Sequence, residues 1–459
     1  MYDLIVMGGG PGGYMAAEQA GKAGLKTLLI EKETLGGVCL NEGCIPTKTL
    51  LNSAKIYHHC TPGGNNAYGV NCSNPEIDHR RVLARKEKVV KTLVRGVQFQ
   101  MKHHHVEVLK AVAKLQKKTD DGFEVCADGN VYRAKHVIVA TGSSAVVPPI
   151  DGAAESMESG FAATSRELLS DPVVPQNLVV VGGGVIGLEF VSYFNTIGTK
   201  VTVIEMMDKI AGPMDRDLSS ELQKVYKKRG VEFILSAKVT QIKDGAVCYE
   251  KDGEVHTVFC DKVLVSVGRR ANTAGIGLEE VGAAVERGVL MTDNSCRTNV
   301  EGLYAIGDVN GKVMLAHTAY REAECVVRQL LGRGDAVDYD VIPSVIYTNP
   351  EVAAVGYTEK TAFEKYGDVE TIALPMSYSG RFVAENEDTS GFCKVLFDRE
   401  SKTMIGAHCM ANYSSEFIEI CTVLIALRIK IGDMKKLVFP HPTVCEILHE
   451  IIQASTLEE

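Results

Sequence analysis

The strongest constraint on what this chain can fold into is an internal repeat. DLIVMGGGPGG leads into an Ala-rich helical stretch and then a second apolar run, KTLLIE, ending at Glu31. NLVVVGGGVIG, another helical stretch and KVTVIE, ending at Glu205, repeat the pattern. Gly8 and Gly182 lie 174 residues apart, and so do Glu31 and Glu205. Identical internal spacing at so long a period does not describe a solenoid. It describes one βαβ mononucleotide-binding unit used twice.

Each unit carries the glycine spacing that a dinucleotide demands. In the first, Gly8 permits the tight turn out of the strand and Gly10 lets the backbone approach a pyrophosphate. Gly13 lets the helix pack closely on the strand. The helix N-terminus then presents free N–H groups and the positive end of its dipole to the phosphates. Glu31, at the end of the next strand, is placed to accept both hydroxyls of an adenosine ribose. Gly182, Gly184, Gly187 and Glu205 repeat this logic. After Glu205 comes MMDKI, with no arginine to clasp a 2′-phosphate, so the second site is expected to take NAD rather than NADP. Two dinucleotide sites in one chain imply a two-electron relay, with a flavin in one and a nicotinamide in the other.

The apolar runs VIVA at 137–140 and VLVSV at 263–267 read as further buried parallel strands. Pro148 and Pro149 suggest one boundary, GRR at 268–270 a second, and the texture changes from about residue 343 to short strands mixed with helices. The expected architecture is therefore α/β. Two Rossmann-like dinucleotide-binding domains span 1–149 and 150–270, a central segment spans 271–342, and an α+β domain spans 343–459. In the central segment, Asp308 of GLYAIGDVNG follows a glycine at a strand end, a position suited to hydrogen-bonding a flavin's ribityl chain. The Lys/His-rich stretch 80–105 reads as a long exposed helix. Its histidines His103 to His105 are adjacent in sequence and do not converge on one ion, so no metal site is expected.

GGVCLNEGCIPTKTLL at 36–51 places Cys39 and Cys44 five residues apart at a helix start, where two sulfurs come within bonding reach. It follows the first βαβ strand, on the side toward which a flavin bound to that unit would extend, and a helix N-terminus favours the thiolate. The other cysteines among the 13 read as reduced core residues. A net charge of −9 excludes nucleic acid and leaves no basic patch for an anionic membrane. No apolar stretch reaches the roughly twenty residues of a membrane span. The strand-like run Leu4 to Met7 leaves no room for a leader, so a cytoplasmic location is expected.

Near the other end, FPHPTVCEILHEIIQAS contains a capping box, Thr443 with Glu446. Val444, Ile447, Leu448, Ile451 and Ile452 form one apolar face of the helix that follows. His441 sits just before that helix between two prolines.

Taken together, these motifs resemble the pyridine nucleotide–disulfide oxidoreductases, and CLNEGCIPTK resembles the dihydrolipoamide dehydrogenase branch in particular. The resemblance covers nearly the whole chain: GGGPGG, the cysteine motif, ATGS at 140–143, GGGVIGLE, GRRANT at 268–273, AIGDV, YTNPEVAAVG and HPTVCE. It implies FAD on the first unit and NAD on the second. It also implies a redox-active Cys39–Cys44 disulfide and a dimer formed through the C-terminal domain. His441 would be the base that Glu446 orients, both supplied to the partner subunit's site. Lys48 and Glu189 would form an ion pair near the flavin's reactive nitrogen, and Thr141, Gly142, Gly268 and Ala316 would join the cofactor-binding set. The implied substrate is dihydrolipoamide on the lipoyl domain of a 2-oxo acid dehydrogenase or glycine cleavage complex. Phe439 departs from the family, which often has a second histidine there.

Overall fold

Strands of Val, Ile and Leu without polar alternation are buried on both faces, which is the signature of a parallel sheet covered by helices. Tyr2–Met7, Thr27–Glu31 and the end of Asn130–Val139 are such strands, with Leu4, Ile5, Val6 and Met7 all fully buried. The computed structural model describes residues 1–61, 68–243 and 245–457. The chain forms two compact units, each drawn from three segments.

The first unit comprises Met1–Thr49, Arg80–Val146 and Gly268–Tyr339. Its sheet runs Glu107–Lys110, Thr27–Glu31, Tyr2–Met7, Asn130–Val139, Gly122–Ala127 and Ala113–Thr119, and Leu303–Ala305 also pairs with Asn130–Val139. The strands around Tyr2–Met7 are parallel, while Gly122–Ala127 and Ala113–Thr119 pair antiparallel. Helix Pro11–Lys22 buries Ala16, Ala17 and Ala20, small residues that let it lie close to the sheet. The Lys/His-rich stretch is a helix, His79–His103, as expected. It is not exposed all round: Val82, Val90, Val94 and Met101 are buried. Lys86, buried among them and paired with Glu87 at 2.5 Å, is what blurs the apolar stripe in the sequence.

The second unit comprises Leu50–His79, Val147–Val267 and Asp340–Glu459. Its parallel sheet has the order Glu232–Ile234, Lys200–Ile204, Asn177–Val181, Lys262–Val265 and Ala162–Ala163. An antiparallel sheet is built from Ser344–Ile346, Glu351–Gly356, Thr403–Ala411, Phe392–Asp398 and Val369–Pro375 in spatial order. Helices Ser414–Ala426 and Ile447–Ala454 contribute Phe417, Ile418, Ile447, Leu448, Ile451 and Ile452 to one core with that sheet. This is the α/β architecture with an α+β C-terminal part that the repeat and the change of texture predict. Within this unit Lys394, 1% exposed, meets Asp215 at 2.8 Å, Asp217 at 2.6 Å and Glu359 at 3.0 Å. No helix among the described residues is long and apolar enough to cross a membrane.

Candidate active site

The two glycine loops match each other contact for contact. A Cβ on Gly8 would stand 2.3 Å from the Ala140 carbonyl oxygen, and one on Gly182 would stand 2.5 Å from that of Ser266. Both residues have positive φ, +109° and +103°, so only glycine makes either turn without strain. Cβ atoms on Gly13 and Gly187 would lie 1.8 Å and 2.3 Å from the carbonyl oxygens of Gly8 and Gly182. Those glycines are therefore fixed by helix-to-strand packing.

Gly10 and Gly184 differ from the others. A Cβ there would meet only the Gly37 Cα, at 3.9 Å, in the first loop and nothing within 4 Å in the second. These are the N-cap residues of helices Pro11–Lys22 and Val185–Thr196, and with no side chain neither caps its own helix. Bare helix N-termini beside open backbone are the cradle a pyrophosphate requires.

The acids match as well. Gly9 N–H donates to Glu31 Oε2 at 2.6 Å and Glu33 N–H to Oε1 at 2.7 Å. Gly183 N–H donates to Glu205 Oε2 at 2.6 Å and Met207 N–H to Oε1 at 2.8 Å. Each carboxylate is aimed by two backbone amides, one from its own glycine loop. Each oxygen keeps lone-pair capacity for a ribose hydroxyl. Both loops therefore fit a dinucleotide. Met206 and Met207, beside Glu205, are 66% and 58% exposed and bring no cation.

Asp308 lies on a 3₁₀ turn, Gly307–Asn310, where the Ser143 hydroxyl donates to it and Arg269 stands 3.8 Å away. Arg269 also donates to the Ser143 hydroxyl and carbonyl oxygens, each at 2.7 Å. Thr141 and Gly142 are tied to Asn272: the Thr141 hydroxyl donates to the Asn272 carbonyl at 2.7 Å, and the Asn272 backbone amide donates to the Gly142 carbonyl at 2.9 Å. Gly268 has φ +126°, and its carbonyl accepts the Val146 amide at 3.0 Å. Ala316 opens helix Ala316–Leu330. Ser143, Arg269 and Asn272 escaped the sequence reading, although they stand within the ATGS and GRRANT motifs.

Cys39 and Cys44 do not lie on adjacent turns of one helix start. Cys39 is in helix Gly37–Glu42, and Cys44 begins helix Cys44–Cys60 after a break at Gly43. A Cβ on Gly43 would stand 2.9 Å from the Val38 carbonyl, so the break itself calls for glycine. The two thiols share a side-chain hydrogen bond. That contact first, then burial, pushes the Cys39 thiol well above its ordinary pKa, and the charge of Lys48, one turn into the helix, pulls it back. Tyr14 and Tyr320, hydroxyl to hydroxyl, stand close enough to the cysteine pair to feel it. Burial first, then their mutual bond, pushes the Tyr14 phenol up. Only the position of Tyr14, directly after Gly13, signals it in the sequence.

In the second unit His441 Nδ1 and Glu446 Oε1 are 2.6 Å apart. Thr443 N–H donates to the other oxygen, Oε2, at 2.7 Å, completing the predicted capping box. The His441 side chain is 79% exposed and that of Glu446 only 18%. Burial works to raise the Glu446 pKa, but the Thr443 amide and the His441 ring outweigh it and hold the carboxyl below its usual range. An ionised carboxylate only accepts, so Nδ1 carries the hydrogen and Nε2 of the neutral ring keeps its lone pair. Glu189 is 4% exposed on helix Val185–Thr196 and accepts the Tyr347 amide at 3.0 Å. Lys48 belongs to the first unit and Glu189 to the second.

Comparison with known proteins agrees with this inventory. The pyridine nucleotide-disulphide oxidoreductase family matches residues 2–323, and the dimerisation domain of the same family matches residues 342–452. A dihydrolipoyl dehydrogenase of Mycoplasma genitalium is 36% identical, covering 100% of this chain and 99% of its own. One from Acholeplasma laidlawii is 46% identical over 73% of this chain and 98% of its own. Among solved structures, LpdA from Mycobacterium tuberculosis superposes with a TM-score of 0.88 at 26% identity, covering 98% of both chains. The HOCl-induced flavoprotein disulfide reductase RclA from Escherichia coli does so with a TM-score of 0.85 at 27% identity, covering 99% of this chain and 100% of that one. With both of its domains and its full-length relatives in agreement, the chain belongs to the pyridine nucleotide-disulphide oxidoreductase family.

Proposed function

We propose that the protein is a dihydrolipoyl dehydrogenase, oxidising protein-bound dihydrolipoamide to lipoamide with NAD⁺ as acceptor, and that it works as a homodimer. The observation that carries this reading is the conjunction of a cysteine pair beside one dinucleotide loop with a histidine–glutamate pair whose Nε2 is free. His441 Nε2 takes the proton from one substrate thiol, and the thiolate attacks Cys39 Sγ of the oxidised pair. The Cys39–Cys44 bond breaks, and Cys44 leaves as a thiolate. The second substrate thiol attacks the substrate sulfur of the mixed disulfide, its proton passing to the Cys39 sulfur that leaves, so lipoamide is released and the two electrons stay on the cysteines as one thiol and one thiolate. Lys48, whose charge lowers the Cys39 pKa, favours the thiolate state.

Gly8, Gly10, Gly13, Glu31, Thr141, Gly142, Gly268, Asp308 and Ala316 would hold FAD, which when bound would supply two-electron transfer between thiol and nicotinamide. Gly182, Gly184, Gly187 and Glu205 hold NAD, and Glu205 disfavours NADP by repelling its 2′-phosphate. Glu189, buried on the helix after the second loop, is assigned to the nicotinamide end of that site. The His441–Glu446 pair is assigned to the partner subunit's cysteines, consistent with its exposure. The lipoyl domain of a 2-oxo acid dehydrogenase or glycine cleavage complex is the proposed protein partner.

The test is turnover with dihydrolipoamide and NAD⁺ by wild type and Cys44→Ser. Wild-type turnover that disappears in the variant, with FAD still bound, supports the relay. Turnover retained by Cys44→Ser removes the cysteines from the reaction.

A further inference from the structure

Glu322 belongs to none of the sequence motifs, yet it is a carboxylate with 0% exposure. A buried carboxylate is costly unless donors satisfy it, and this one is fully engaged. Its Oε2 accepts the Gly307 amide at 2.5 Å, and its Oε1 accepts Asn310 Nδ2 at 2.8 Å and the Tyr339 hydroxyl at 2.7 Å. All three partners are donors, so the ionised form is the one the geometry suits. Burial pushes its pKa up, and these three bonds oppose that rise.

Gly307 and Asn310 are the first and last residues of the 3₁₀ turn that carries Asp308. One side chain on helix Ala316–Leu330 therefore grips both ends of a four-residue turn. Asn310 is itself 5% exposed, and its Oδ1 accepts the Lys312 amide at 3.0 Å, which fixes its Nδ2 toward Glu322.

We propose that Glu322 is the positioning residue of the flavin site: by clamping the Gly307–Asn310 turn it fixes Asp308 where the ribityl hydroxyls of FAD bind. This rests on the reading of Asp308 as a ribityl acceptor. The clamp has a polarity that substitution can reverse. In Glu322→Gln, one oxygen becomes an NH₂ group, which faces a donor whichever way the amide turns. In Asn310→Asp, two carboxylates face each other. In the double variant, the introduced glutamine accepts the Gly307 amide through its Oε1 and donates through its Nε2 to the introduced aspartate. The other oxygen of that aspartate still accepts the Lys312 amide, and the Tyr339 hydroxyl rotates to accept. Every group is paired again, with the charge moved across the contact.

The experiment titrates FAD into FAD-depleted wild type, the two single variants and the double variant, reading flavin fluorescence, with far-UV circular dichroism as a check on folding. Each single variant is expected to raise the FAD Kd at least about tenfold, the effect of one buried donor or charge left unpaired. The double variant is expected to recover most of that loss, which a merely space-filling residue at 322 would not allow. Single variants that bind FAD like wild type, or a double variant no tighter than the weaker single, overturn the proposal. Should Glu322→Gln not fold, Asn310→Asp against the double variant gives the same comparison. A wild type that binds no FAD at all overturns the flavin-site reading, and this inference with it.

Discussion

Glu446 turns one oxygen to His441 Nδ1 at 2.6 Å and the other to the Thr443 amide at 2.7 Å, so a helix-capping carboxylate also sets the tautomer of the proposed base. The two tasks separate by substitution. His441→Gln is expected to lower kcat by the ~10²–10⁴-fold of a lost acid–base group. It leaves the cap intact, so Tm should hardly move. Glu446→Ala loses the cap as well, with a further cost of about 1 kcal/mol in stability. Steady-state kinetics beside a thermal melt checks both. Full activity in His441→Gln removes it as the base.

Cys39→Ser and Cys44→Ser are each expected to abolish dithiol oxidation while leaving reduction of an artificial dye by NADH in place. The dye needs the flavin and nucleotide sites but not the thiols. Loss of both activities together would mean that the cysteines support cofactor binding rather than carry electrons.

Glu205 is held by the amides of Gly183 and Met207, with two exposed methionines beside it. Replacing it with alanine and Met206 with arginine removes a repelling charge and adds an attracting one. The preference for NAD over NADP, compared as kcat/KM, should fall by at least about tenfold, equivalent to about 1.4 kcal/mol. An unchanged preference would place the discrimination elsewhere.

These features differ in how legible they are in the sequence. The glycine loops and the two acids could be read directly, because each role depends on residues within one βαβ unit. The capping box at Thr443 and Glu446 was legible locally, but the pairing of Glu446 with His441 came only from the family resemblance, because a cap alone does not call for a histidine before it. The Glu322 clamp depends on a helix meeting a turn, and the Tyr14–Tyr320 pair joins residues 306 apart. Gly43 was legible as a glycine but not as a break, because the clash that requires it is with the carbonyl of Val38 in the folded chain. The lysine hub draws on residues 215, 217, 359 and 394, which no local pattern connects.

That hub predicts a stability effect. Lys394 pairs with buried Asp215 and with the more exposed Asp217 and Glu359, so Lys394→Met leaves a buried carboxylate without its cation. Breaking such a pair costs about 3–5 kcal/mol. Burial raises the Asp215 pKa, but the Lys394 ammonium, with the His408 ring and the Glu359 amide, outweighs it and leaves the carboxyl below its ordinary value. A depressed carboxyl stabilises the fold above its unfolded pKa of about 3.9 and loses that contribution as pH falls toward the folded value. Wild type should therefore lose stability below about pH 4, and the variant should lose less over the same range. Denaturant melts across pH test this; parallel curves for the two proteins would contradict it.

Supplying purified, FAD-loaded protein with dihydrolipoamide and either NAD⁺ or NADP⁺, and following formation of the reduced nucleotide, tests the proposed activity most directly. Rapid NADH formation is expected, with NADPH formed at least about tenfold more slowly. No reduction of either nucleotide, with FAD bound and NADH instead consumed on a small disulfide, would contradict it and make the protein a disulfide reductase running the other way.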